Sequence, residues 1–100
     1  MARFDVYGRL DGKRLVLDCQ ADVLSRHLDT CFVVPLLLPA GAPLPARRLN
    51  PLFTIDGETY VMVTQFAASM PVRELGARVA SLLGDDFTIT SALDLLMCGI

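Results

Sequence analysis

One hundred residues, 53% of them apolar, with a net charge of −2, describe a single small domain spanning residues 1–100, large enough for one core and no more. The acidic balance, with a pI of about 5.1, speaks against direct nucleic-acid binding. Phosphate recognition draws on clustered Lys and Arg, and here nine bases are scattered among eleven acids. The apolar share exceeds the roughly 45–50% of ordinary soluble domains, which argues for a surface covered by a partner or by a second copy.

The first residues contain Asp5 and no apolar run of the kind a signal peptide needs. Phe4, Asp5, Val6 and Tyr7 alternate as a half-buried strand does, and Asp11 with Gly12 is a hairpin-turn pair because both tolerate positive φ. The returning strand places Leu15, Leu17 and Cys19 on one face. A polar stretch follows through residues 22–29 and contains the single histidine, His27, read as a surface-loop residue. Residues 30–38 are rich in β-branched side chains and predict another strand. Pro35 lacks a ladder donor, which puts its N–H side on a sheet edge or at a bulge.

Residues 31–46 form the most apolar stretch, but Pro35, Pro39, Pro43 and Pro45 interrupt it. A membrane-spanning helix needs about 20 apolar residues with its backbone bonds intact. No span is predicted, and the expected location is the cytoplasm. Residues 39–46 read as a long ordered loop, and Arg47 with Arg48 as a solvated pair. Residues 52–55 and 59–64 flank a second turn pair, Asp56 and Gly57, and predict a second hairpin.

Residues 69–75 are ambiguous, since Pro71 suits a helix start or a strand edge. Residues 77–83 carry apolar side chains at helical spacing and stop at Gly84. In the last element, Asp85 or Asp86 is placed to cap a helix, and Ile89, Ala92, Leu93 and Leu96 form one apolar stripe. The pattern predicts an α+β domain of antiparallel strands with one C-terminal helix.

Chemistry is sparse. There is one His, no glycine-rich phosphate loop and no nucleophile beside a base. Cys19, Cys31 and Cys98 form neither a C-x-x-C pair nor an even disulfide framework. No metal, cofactor or catalytic group is predicted, and the chain is expected not to be an enzyme. The unusual feature is an apolar finish, Leu95, Leu96, Met97, Cys98, Gly99 and Ile100, where chain ends are generally polar. It either packs into a core or dimer seam or inserts into a partner.

The residues Phe4-Asp5-Val6-Tyr7, Val33-Val34-Pro35-Leu36, Ile55-Asp56-Gly57-Glu58-Thr59-Tyr60 and Ala68-Ser69-Met70-Pro71-Val72 recur in the order found in the CcdB family. So does the closing Ala92-Leu93-Asp94-Leu95-Leu96-Met97-Cys98-Gly99-Ile100. The chain thus resembles the toxins of plasmid-maintenance toxin–antitoxin modules. The resemblance implies a small β-barrel-like antiparallel sheet of the Kid and SH3-like kind with one C-terminal helix, assembled as a homodimer. It implies insertion into the DNA gyrase A subunit dimer, trapping of the cleavage complex, and neutralisation by a disordered CcdA-like antitoxin.

Carried over by position, the gyrase-binding residues are Val23, Leu24, Asp94, Met97, Cys98, Gly99 and Ile100. One departure stands out: Cys98 occupies the place of a family Trp, and losing such a ring from an interface commonly costs about 2 kcal/mol. Two further readings are an mRNA-cleaving toxin of the MazF or Kid type, and a toxin-derived domain that binds antitoxin without poisoning gyrase.

Overall fold

The structure is a computed structural model and describes residues 2–9, 14–25, 27–43, 46 and 48–99. The strands are β1 (Asp5–Arg9), β2 (Leu15–Asp18), β3 (Thr30–Leu37), β4 (Leu52–Ile55), β5 (Glu58–Met62), β6 (Ala68–Pro71) and β7 (Leu75–Ser81). The helices are the four-residue α1 (Asp22–Ser25) and the thirteen-residue α2 (Asp86–Cys98). All pairings are antiparallel, in the order β4-β5-β3-β2-β1-β7, with β6 also on β3. The sheet curls into a half-barrel with one C-terminal helix, as the sequence predicts.

Both predicted hairpins form. In the first, Val6 pairs with Leu17 and Gly8 with Leu15; its turn pair, Asp11 and Gly12, lies outside the described residues. In the second, Asp56 at φ 51° and Gly57 at φ 82° make the two-residue left-handed turn that the Asp-Gly pair suits. The strand after it ends at Met62, two residues earlier than expected, and Thr64–Phe66 turn as a short 3-10 helix. The polar stretch 22–29, read without structure, contains α1.

Pro35 has an unpaired stretch only on its N–H side. It lies in the middle of β3, the most heavily paired strand, opposite Val16. On its other side β3 pairs with β6 through Thr30–Val33 and with β5 from Leu36 onward. The Pro35 carbonyl accepts from Val63 N–H at 3.0 Å, so its nitrogen faces the same gap, where neighbouring chain leaves the ladder. The missing donor costs nothing there.

Residues 77–83 are the larger correction: most of them belong to β7, a strand and not a helix. The register between β1 and β7 shifts twice, between Val6 and Tyr7 and between Tyr7 and Arg9. Each shift resets the two-residue alternation, and what survives in the sequence looks helical. At the ambiguous segment, Pro71 closes β6, and Val72–Glu74 make a 3-10 turn.

The sheet is buried on both faces near its centre. One face carries Phe4, Val6, Leu17, Cys19, Val34, Leu36, Phe53, Ile55 and Met62, and α2 closes over it with Ile89, Ala92 and Leu93. The opposite face holds a smaller cluster of Tyr7, Val16, Cys31 and Val33, flanked by Met70, Val72 and Leu75. No helix among the described residues is long and apolar enough to cross a membrane.

Candidate functional site

The end of α2 is where exposure and sequence disagree most. Ile89, Ala92 and Leu93 are buried, and Leu96 continues the same line of side chains, yet it is 43% exposed. The predicted stripe therefore runs past the core. A helix advances about 1.5 Å per residue, and its last turn projects beyond the apolar surface that anchors the earlier ones.

Asp94, Met97, Cys98 and Gly99 are likewise exposed, Met97 at 75%. Gly99 ends the helix at φ 77°, its N–H donating to Leu95 O at 3.0 Å. Glycine holds this left-handed position at little cost. Ile100 lies outside the described residues. At the other end, the expected capping differs in detail. Asp85 is the N-cap without a side-chain bond to the helix, and Asp86 Oδ1 accepts from Phe87 N–H at 2.8 Å.

Val23 and Leu24 are carried by α1. Arg3 N–H donates to Asp22 Oδ1 and ties this helix to the start of β1. Val23 is 71% exposed, and Leu24 is also exposed. Of the seven residues assigned by resemblance, Val23 and Leu24 thus lie on α1, Asp94, Met97 and Cys98 on α2, and Gly99 at its cap. The six that are described are all at the surface.

The polar groups inside the sheet are structural in character. Asp5 Oδ1 meets Arg78 Nε at 3.1 Å and its Oδ2 accepts from Tyr7 OH at 3.4 Å. Burial first, and then the Asp5 and Asp18 carboxylates, push the Tyr7 hydroxyl pKa up. Cys19 and Cys31 are pushed up to about 12, chiefly by burial. They are thiols and not thiolates at neutral pH, which removes their nucleophilicity. His27 is exposed, as the sequence predicts. No cluster of three or more His, Cys, Asp or Glu suited to a metal occurs among the described residues.

Sequence reasoning missed two surface features. A cleft of about 690 Å³ is lined by Arg14, Leu37, Leu38, Tyr60, Phe66 and Val79. Its walls come from six separate segments, Gly8 of β1 among them, so no local motif announces it. The second is Phe87, an exposed aromatic in the first turn of α2; it falls off the apolar stripe, which was the available signal.

The pattern of the CcdB protein family matches residues 3–99. The chain belongs to the CcdB family. The match therefore spans both α1 and α2. In fold, the chain is similar to the Mycobacterium tuberculosis toxin MazF-mt6, with a TM-score of 0.77 at 19% identity, covering 95% of this chain and 96% of that one. An endoribonuclease from a mycobacterial species, solved in complex with its cognate antitoxin, matches with a TM-score of 0.77 at 17% identity, over 97% of this chain and 94% of that one. At these identities the likeness to those two proteins is one of fold alone. A stretch of 76 residues, 74% of this chain, is 32% identical to clavatol synthase claF of Penicillium crustosum. The chain spans only 3% of that protein's length, and that match carries no reading of activity.

Proposed function

We propose that this chain is the toxin of a toxin–antitoxin module and that it acts by binding, not by turnover. In this reading a homodimer inserts the ends of its two α2 helices into the DNA gyrase A subunit dimer and traps the cleavage complex. The observation that carries it is the apolar last turn of α2, which stands outside the core with Met97 three-quarters exposed. A side chain of that size left in water lowers the cost of docking, because its desolvation on binding is favourable. Val23 and Leu24 on α1 would add apolar contact. Cys98 supplies no aromatic ring, so its share of the affinity is small.

A CcdA-like antitoxin would compete for the toxin by folding onto it. A flexible segment suits that task since it covers a wide surface. The cleft between Leu38, Tyr60 and Phe66 offers it apolar area. The test is a gyrase assay with the purified protein. Accumulation of linear, gyrase-linked DNA, relieved by a change in the gyrase A subunit cleft, is the expected result. Unimpaired supercoiling at saturating protein rejects poisoning and leaves a toxin-derived antitoxin binder.

The second reading, an mRNA-cleaving toxin, is favoured by the fold shared with the mycobacterial endoribonuclease. Incubation with RNA decides it: cleavage that persists through purification would replace the gyrase reading.

A further inference from the structure

Phe87 is 81% exposed, more than any other large apolar side chain among the described residues. It sits in the first turn of α2, at the opposite end from Met97. At 100° per residue, Phe87, Ser91, Asp94 and Cys98 fall within about 60° of one another on the helix surface, over a length of about 16 Å. This line faces away from the buried Ile89, Ala92 and Leu93, and Asp94 and Cys98 on it are exposed. Phe87 is its one aromatic, and Leu83, 61% exposed, stands one turn earlier.

The charge on this segment has one sign. Residues 79–99 contain Asp85, Asp86 and Asp94 and no Lys, Arg or His. A twofold contact between copies centred on Phe87 would set these carboxylates against their own equivalents, because such an interface presents the same patch from both sides. A basic partner meets no such repulsion.

We propose that the outward face of α2, anchored by Phe87, is a specificity-determining part of the partner surface, recognising an apolar pocket rimmed by basic side chains on the protein that also holds the end of the helix. The inference rests on the reading of the gyrase A subunit as that protein. The contact then runs along the outward line of the helix from Phe87 to Cys98, with Leu83 just before it and Met97 beside its far end. Aromatic side chains dominate such hot spots, and the flanking aspartates steer the encounter at long range.

The test measures binding of the full chain to the purified gyrase A subunit at low and high salt. Phe87→Ala is expected to weaken binding about tenfold or more, with oligomeric mass and thermal midpoint unchanged. Phe87→Tyr is expected to retain it. The paired changes Asp85→Asn and Asp86→Asn, which leave the ring in place, are expected to slow association and flatten its salt dependence. Wild-type affinity in Phe87→Ala would overturn the proposal while leaving the gyrase reading intact. So would a loss of oligomeric mass in Phe87→Ala, which would assign the ring to a second copy. Should Phe87→Ala melt early, an unchanged salt dependence in the aspartate pair overturns the proposal independently. No binding by the wild-type chain rejects the gyrase reading and the inference with it.

Discussion

The Cys31 thiol donates to Asp18 Oδ1 at 3.2 Å inside the sheet, beside the Gln20 N–H that donates to the same oxygen at 2.9 Å. Asp18 is fully buried, and its Oδ2 has no hydrogen-bond partner among the described residues. A buried carboxylate with one oxygen unsatisfied is unfavourable when charged.

Burial accordingly raises the Asp18 pKa above 3.8, assisted by the neighbouring Asp22 and Asp5 and opposed by the bonds from Gln20 and Cys31. The native state then holds a proton that the unfolded chain releases. Stability falls as pH rises from near 3.8 through the raised native value, and levels off above it. Asp18→Asn keeps an acceptor for Gln20 and Cys31 and carries no charge. Urea unfolding across this range is expected to show a flatter pH dependence in the variant and a gain of about 1 kcal/mol at pH 7. Parallel profiles for the two proteins would contradict this.

The hairpins and the final helix were legible because their signals are local. Asp56 and Gly57 fix a turn by their own backbone preferences, and Ile89, Ala92 and Leu93 share a face by helix geometry alone. Strand β7 was not legible, since its alternation is broken by two shifts whose partners, Val6 to Arg9, lie some seventy residues away in sequence (about the largest separation in the sheet). Pro35 signalled an unpaired N–H side but not its place inside the sheet, for a related reason. Its tolerance depends on where β5 and β6 part company along β3, a long-range fact. The exposure of residues 96–99 was legible only as an alternative, because composition does not say where a core ends.

At Gly76 the backbone of β1 leaves β7 no room for a side chain. A Cβ there would lie 2.8 Å from the Gly8 carbonyl oxygen, a backbone atom that has no rotamer to move to. Gly76→Ala is expected to cost about 1–3 kcal/mol, read as a lowered denaturant midpoint. Gly84→Ala is the control, since nothing lies within 4 Å of the Cβ it would add. Equal loss in both variants would mean that glycine flexibility, and not contact with β1, sets the effect.

The three thiols are expected to separate by reactivity. Cys19 and Cys31 are buried and held near 12, while Cys98 is exposed. A disulfide reagent at mildly alkaline pH should label one equivalent per native chain, and Cys98→Ser should abolish that fast phase. The other two thiols should react only as the protein unfolds. Rapid labelling that survives Cys98→Ser would show the sheet interior opening on a short timescale.

Ile89 and Met97 lie on one helix and are expected to fail in opposite ways. Ile89 is wholly buried against the sheet, so Ile89→Ala should cost about 2–5 kcal/mol of stability through the cavity it leaves. Met97→Ala should change stability by no more than about 0.5 kcal/mol, as exposed substitutions generally do. If the last turn of α2 is a contact surface, Met97→Ala should nonetheless weaken gyrase A subunit binding about tenfold. Paired unfolding and binding titrations resolve the two effects. A Met97→Ala variant that melts as early as Ile89→Ala would place this side chain in a packed seam, and the projecting turn would then be part of the fold instead of its contact with a partner.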